Sequence, residues 1–163
     1  MMCLVLLIML LSAAAADLVQ PPVATVLTGP GWVLGPAGRG YVVGGPQSGL
    51  SWADARGYCE QFRGGRLATF ADADEWALAA AVLTPRGVWI DWAAGPSPNF
   101  DTWGDGSPMP AAVADARRLT AGKRRIIVEP GRCGVAAQEV GAAPHWGSPP
   151  CSQLRHALCR VEV

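Results

Sequence analysis

Four of the five cysteines are arranged in a way that favours disulfide chemistry. Cys3 lies in an apolar leader, and the others are Cys59, Cys133, Cys151 and Cys159. An even set in a short chain that carries such a leader is typical of a disulfide framework in an oxidising compartment. Four cysteines allow three pairings, and their spacing alone does not choose among them.

A second group of residues is suited to binding anions. Five cations fall within nine positions, at Arg117, Arg118, Lys123, Arg124 and Arg125. Like charges at this density repel one another unless an anion neutralises them. Arg side chains bind sulfate or phosphate oxygens through bidentate hydrogen bonds. The other interpretation is a solvated segment balanced by the protein's own acids, namely Asp72, Asp74, Glu75, Asp101 and Asp105.

Catalytic and metal chemistry find little support in the sequence. The two histidines are His145 and His156, and no serine lies in a nucleophile-elbow pattern. A zinc site would need free thiols or clustered histidines, whereas the four cysteines are expected to form bridges. We therefore expect no enzyme activity, no metal and no cofactor. The formal net charge of zero predicts no general attraction to nucleic acid or membranes.

Residues 1–16 read as a signal peptide. The stretch from Met2 to Ala16 is uncharged and shorter than the ~20 residues that cross a bilayer. Small residues at Ala14 and Ala16 predict cleavage just before Asp17. No Lys or Arg precedes the apolar core, so an uncleaved signal-anchor is the alternative. We expect a secreted, extracellular chain without membrane insertion after cleavage.

The hydrophobic pattern predicts α+β structure with an antiparallel sheet. Residues 17–40 form a Gly- and Pro-rich lead-in, with short strands near 31–34 and 41–43. Ser51 caps a helix with an apolar face that runs from Trp52 to Phe62, and Asp72 or Asp74 caps a second helix. After a Pro- and Gly-rich loop at 95–110, strands are predicted at 125–128, 134–140 and 156–163, with an earlier one at 88–90.

With these segments placed, residues 41–161 resemble the C-type lectin-like domain. Residues 51–59 and 65–69 are similar to the family's first helix and its "gGxLA" step. Val88-Trp89-Ile90-Asp91-Trp92 is similar to the "WIGL" core strand, and residues 100–108 to the "F.W.DGSP" segment. Cys133, Trp146, Cys151 and Cys159 fall where the family has its later cysteines and tryptophan. The domain is therefore expected to span residues 41–163.

The resemblance implies more than the residues alone do. It implies the pairs Cys59–Cys159 and Cys133–Cys151, a binding module rather than an enzyme, and carbohydrate binding as the generic activity. It also places the basic run in the long loop, where family members usually meet ligands. Trp103, like Trp92, flanks this region and is a candidate for stacking on a ligand.

Calcium is expected to be absent because the family's ligand triplets are incomplete. Many members bind sugar through a calcium ion that is held by Glu-Pro-Asn or Gln-Pro-Asp together with Trp-Asn-Asp. Here the second triplet is Trp146-Gly147-Ser148, and the nearest match to the first is Glu129-Pro130-Gly131. Two side chains rich in hard oxygen ligands are lost from the second triplet, and one from the first.

The sequence thus predicts calcium-independent recognition of an anionic glycan, sulfated in one interpretation, or of a cell-surface protein. The expected ligand-binding residues are the five cations of the basic run and Trp103. Two alternatives stay open: a calcium-dependent lectin with a rearranged site at Glu129, and a protein-interaction or matrix scaffold that binds no glycan.

Overall fold

The computed structural model describes residues 32–35, 38–95, 101–120 and 129–162, without the side chains of 117–120. In these ranges the helices are α1 (Trp52–Cys59), α2 (Ala73–Ala79) and α3 (Ala111–Thr120), and Ala80–Val82 adds one 3-10 turn. The expected signal peptide, residues 17–31 of the lead-in and the expected strand at 125–128 lie outside the described residues. The strands are β1 (Trp32–Leu34), β2 (Arg39–Gly44), β3 (Arg66–Leu67), β4 (Val88–Ala93), β5 (Cys133–Ala137), β6 (His145–Gly147) and β7 (His156–Glu162).

Strand β7 is the centre of the sheet. The described strands follow the order β1-β2-β7-β4-β5-β6, and β3 also pairs with β7. The α+β class is confirmed, but the sheet is mixed rather than antiparallel, because β4 and β7 run parallel with Val88 opposite His156. Strand β1 pairs with β2, so the sheet extends upstream of the expected boundary at Tyr41.

The two predicted helices form where their caps indicated. The Ser51 hydroxyl accepts a hydrogen bond from the Asp54 amide at 3.2 Å, and α1 buries Ala55 and Cys59. This helix ends at Cys59 rather than Phe62. At α2 the choice between two caps falls on Asp72, whose carboxylate accepts from the Glu75 amide at 2.8 Å.

Helix α3 was not predicted, since the sequence there was interpreted as part of the long loop. The carbonyl of Pro110 accepts from the amides of Val113 and Ala114 at 3.0 Å, which starts the helix. Val113 and Ala116 are buried one turn apart. The indole N–H of Trp146 donates to the Val113 carbonyl at 2.8 Å. Packing on Trp146 thus stabilises a helix whose apolar stripe is too short to stand out in the sequence.

Both disulfides implied by the resemblance are confirmed. Cys59–Cys159 joins α1 to β7 across 100 residues, and Cys133–Cys151 joins the start of β5 to the segment before β7 across 18 residues. Cys59 and Cys159 are fully buried. The longer link therefore fixes a helix onto the strand at which the sheet is assembled.

Asp91 places a carboxylate in the core next to the start of the long loop. It is 4% exposed, its Oδ1 has no hydrogen-bond partner among the described residues, and its carbonyl accepts from the Gly104 amide at 2.7 Å. A Cβ at residue 104 would overlap this carboxylate. Burial raises the pKa of Asp91 to about 6, with Asp105 adding to the rise and Arg56, Arg66 and Arg160 opposing it.

Loss of the longer disulfide should cost more stability than loss of the shorter one. In the chain-entropy model, Cys59→Ser with Cys159→Ser lowers the free energy of unfolding by about 4–5 kcal/mol, and Cys133→Ser with Cys151→Ser by about 3 kcal/mol. Urea denaturation of both double variants measures the difference. The reverse order of stability would contradict the role given to the helix–strand link.

Stability should fall as the pH rises through the pKa of Asp91. Because this pKa is higher in the folded state, its contribution is complete below pH 3.8 and is lost as pH rises through about 6. The shift corresponds to about 3 kcal/mol. Asp91→Asn should remove this part of the pH dependence in urea denaturation between pH 4 and 7. Asp74→Asn, which removes an exposed carboxylate, is the control, and parallel curves for Asp91→Asn and wild type would contradict the prediction.

Candidate functional site

The candidate site is the long-loop region, defined as residues 94–132 between β4 and β5. The Ala94 amide donates to the Arg132 carbonyl at 2.9 Å, so the two ends of the region are tied together beside the sheet. The described parts of the region are 94–95, 101–120 and 129–132. The region therefore starts and ends at a fixed place on the domain, next to the Cys133–Cys151 bridge.

Trp103 anchors the beginning of this region in the core. Its side chain is 3% exposed, its indole N–H donates to the Phe70 carbonyl at 3.2 Å, and its ring meets Phe70 edge-to-face at 5.5 Å. The expectation that Trp103 stacks on a ligand is corrected, since its ring is covered by protein. Trp92 is likewise 1% exposed and packs against Trp146 at 5.4 Å.

A tight turn follows Trp103 and carries an acid that is already engaged. Gly106 has a positive φ of 83° and its amide donates to the Trp103 carbonyl at 3.0 Å. Asp105 accepts from the Ser107 amide at 2.9 Å and from its hydroxyl, and it pairs with Arg66 at 3.5 Å. Partial burial favours a higher pKa for Asp105, but these contacts outweigh it and lower the pKa.

The structure divides the expected basic site between a helix and a segment it does not describe. Arg117 and Arg118 belong to the last four residues of α3, near the end where the helix dipole favours cations. Lys123, Arg124 and Arg125 lie outside the described residues. Two of the five cations are therefore placed by a helix that packs on Trp146, and not by an irregular loop.

Several acids proposed to balance these cations have partners elsewhere. Glu75 is 1% exposed and accepts from the Tyr41 hydroxyl at 3.0 Å, from the Ala71 amide at 2.7 Å and from Arg39. Its hydrogen bond and charge raise the pKa of Arg39. Asp72 caps α2, and Asp105 is held as described above. Three of the five acids thus serve the fold.

The remnants of the two ligand triplets lie on neighbouring segments. Glu129 is exposed and precedes a turn in which Gly131 has a positive φ of 86°. The Gly131 carbonyl accepts from the Cys151 amide at 2.9 Å, and Arg132 donates to the Ser148 carbonyl at 3.5 Å. In the described part of the chain, no three His, Cys, Asp or Glu side chains come together as metal ligands.

One group of residues was missed by the sequence analysis. Arg86, Arg155 and His156 line a cavity at the other end of β4 from the long-loop region. No local pattern in the sequence points to either arginine, and Arg86 lies 69 residues before Arg155. Pairing of β4 with β7 is what brings them together, and no local pattern signals it.

None of the helices in the described residues is both long enough and apolar enough to pass through a bilayer. This finding leaves the expected leader at residues 1–16 untested, because it lies outside those residues.

The comparisons with known proteins agree with the fold. The family model of the lectin C-type domain matches residues 48–161. No curated protein has a significant sequence match to the chain. Among solved structures, human lithostathine is 21% identical with a TM-score of 0.61, covering 88% of this chain and 96% of its own.

Two further structures represent other members of the same fold. The carbohydrate-recognition domain of cow CD23, solved in the presence of an oligosaccharide, is 19% identical with a TM-score of 0.61 and covers 83% of this chain and 95% of its own. EMS16, an antagonist of the collagen receptor integrin alpha2beta1, is 21% identical with a TM-score of 0.53 and covers 83% and 99%. At these identities the likeness shows the fold alone. Together with the match over residues 48–161 and the two disulfides, it leads to one conclusion: the chain belongs to the lectin C-type domain family.

Proposed function

We propose that this protein is a secreted binding module that recognises an anionic glycan through the basic run of its long-loop region, without calcium. The observation that carries the proposal is the charge of that run. Five cations lie within residues 117–125, and from 116 to 132 there are six bases and a single acid. Such a segment attracts sulfate or carboxylate groups that Arg side chains bind in bidentate fashion.

The engagement of two of the protein's acids in other contacts supports the proposal. A basic segment does not attract anionic ligands when the protein's own carboxylates neutralise its charge. Glu75 is buried beneath Arg39 and Tyr41, and Asp105 is shared between Ser107 and Arg66. These two carboxylates are therefore not available to neutralise the run, which leaves more of its charge for an external anion.

Independence from calcium is supported by the chemistry around the second triplet. Gly147 contributes no side-chain oxygen, and Ser148 contributes a neutral hydroxyl, a poor ligand for a hard divalent cation. The Arg132 guanidinium donates to the Ser148 carbonyl, so a positive charge already lies at this position. A second cation there would be repelled.

The solved relatives agree with a binding role of this kind. The cow CD23 domain is described with an oligosaccharide, and EMS16 is described as an antagonist of an integrin. The same fold therefore serves recognition of glycans and of cell-surface proteins in those two cases. The two buried or half-buried disulfides and the apolar residues 1–16 support secretion into an oxidising environment.

Heparin affinity chromatography tests the basic run. Replacement of Arg117, Arg118, Lys123, Arg124 and Arg125 by Gln should abolish retention, because the interaction depends on charge and is screened by salt. The smaller variant Arg117→Gln with Arg118→Gln should elute at lower salt than wild type. All variants should keep the wild-type melting temperature to within a few degrees, since exposed charges contribute about 0–1 kcal/mol each.

A matched control removes the same charge elsewhere. Arg56→Gln with Arg63→Gln also lowers the net charge by two, at exposed positions in or just after α1. It should elute closer to wild type than the Arg117 and Arg118 variant does. Equal elution of the two double variants would show that net charge alone governs retention, and the proposed site would be rejected.

A chelator distinguishes this proposal from a calcium-dependent lectin. Retention of the wild-type protein should be the same with calcium and with EDTA, and Glu129→Gln, which removes the one acid of residues 116–132, should not weaken it. Loss of binding in EDTA, together with loss in Glu129→Gln, would instead assign the activity to a metal site at the first triplet. No binding to any glycan, with binding to a cell-surface protein, would favour the scaffold alternative.

A further inference from the structure

A cavity of about 430 Å³ opens at the end of the sheet opposite the long-loop region. Strands β4 and β7 are parallel with Val88 opposite His156, so both strands begin at this end. The long-loop region leaves β4 at its other end, after Ala93. The cavity is therefore separated from the start of the long-loop region by the length of β4, and it lies within the usual size range of small-molecule sites.

The wall of the cavity is positive and contains no Asp or Glu. Arg86 and Arg155 both line it, together with Gln47, Ser48, Gln153 and His156. In the described part of the chain, no ion pair joins either arginine to a carboxylate. Burial lowers the pKa of the Arg155 guanidinium, and no acid offsets that cost. The protein thus holds an uncompensated positive charge at this wall, which a bound anion would neutralise.

Arg155 is held in place by its neighbours before any ligand arrives. Its amide donates to the Leu50 carbonyl at 3.0 Å, and its carbonyl accepts from the Leu50 amide at 2.8 Å. One terminal nitrogen donates to the Arg86 carbonyl, and the other to Gln153 Oε1 at 2.7 Å. The guanidinium also lies over the Trp89 ring, 5.9 Å from its centre. A fixed guanidinium loses little conformational entropy when it binds.

The Arg155 guanidinium keeps N–H donors that these contacts do not use. A guanidinium has five N–H groups, and the described hydrogen bonds of Arg155 employ two of them. Its Nε is buried without a partner among the described residues. The Arg86 side chain, which is exposed at the rim, adds a second guanidinium. Both residues line the cavity, and guanidinium donors match the oxygens of a carboxylate or sulfate group.

We propose that this cavity binds a small ligand through one oxyanion group, a carboxylate or a sulfate, held by Arg155 and Arg86. Gln47 and Ser48 also line the cavity, and amide and hydroxyl groups suit a polar remainder such as a sugar ring. The site is independent of the basic run and remains if that run binds nothing.

Titration of the isotope-labelled protein by ¹H–¹⁵N NMR tests the site. The probes are sodium sulfate and sodium glucuronate at constant ionic strength, with sodium chloride and glucose as controls. Saturable shifts are expected at the Gly49 and Gly87 amides, at the Arg155 Nε–H and at the Trp89 indole N–H. Saturation with sulfate alone identifies a free inorganic anion as sufficient, and tighter binding of glucuronate identifies an acidic sugar.

Variants assign the shifts to the cavity. Arg86→Gln, at an exposed position, should weaken binding about tenfold, which is the loss expected for one charge-assisted contact. Arg155→Lys keeps the charge, loses the fork and should also weaken binding. Arg63→Gln, at an exposed position outside the cavity lining, should leave the Kd unchanged. Shifts that do not saturate, that appear equally with chloride, or that survive Arg86→Gln at full affinity would overturn the proposal.

Discussion

The bond between Cys59 and Cys159 is the constraint on which the rest of the domain depends. It ties α1 to the middle of β7, and β7 pairs in turn with β2, β3 and β4. Both sulfurs are fully buried against Leu67 and Trp89, so the link lies within the core and not at its edge. Because β4 is held beside β7, the long-loop region and the cavity are fixed at opposite ends of one rigid strand. One covalent link closes a loop of about 100 residues. The domain can therefore contain long irregular segments with little further loss of stability.

Tryptophan side chains also hold separate segments of the chain in place, each at one position. Among the described residues, four ring N–H groups donate to main-chain carbonyls, and three of these carbonyls belong to segments outside the strands. The pairs are Trp52 with Ile90, Trp89 with Leu50, Trp103 with Phe70 and Trp146 with Val113. Each ring fills space and satisfies a main-chain carbonyl at the same time, so these tryptophans anchor separate segments of the chain. A large aromatic residue in this domain therefore indicates an anchored chain segment more strongly than it indicates a ligand-binding surface.

The family, the two bridges and the capped helices could be predicted from the sequence. Helix caps depend on contacts within a few residues, and the cysteine pairs follow a pattern that the family shares. Ser51 was identifiable from hydrogen-bonding chemistry alone, whereas Asp72 was one of two candidate caps with Asp74. Helix α3 was not identifiable, since its buried face consists of Val113 and Ala116 and it is stabilised by Trp146, 33 residues after Val113. Trp103 was misjudged for the same reason, as its burial depends on Phe70. The cavity requires the parallel pairing of β4 and β7, which no local periodicity encodes. The basic run was visible as a pattern, but its ligand is a matter of chemistry that only binding can decide.

The most direct test of calcium-independent anion recognition is binding of the refolded chain from residue 17 onward to an array of neutral and sulfated glycans. It should be measured with calcium and with chelator, each at low and high salt. Binding to sulfated glycans is expected to weaken with salt and to be indifferent to chelator, because screening acts on exposed charges and the proposed site uses no metal. Binding that disappears in chelator, or that favours neutral sugars and ignores salt, would contradict this expectation.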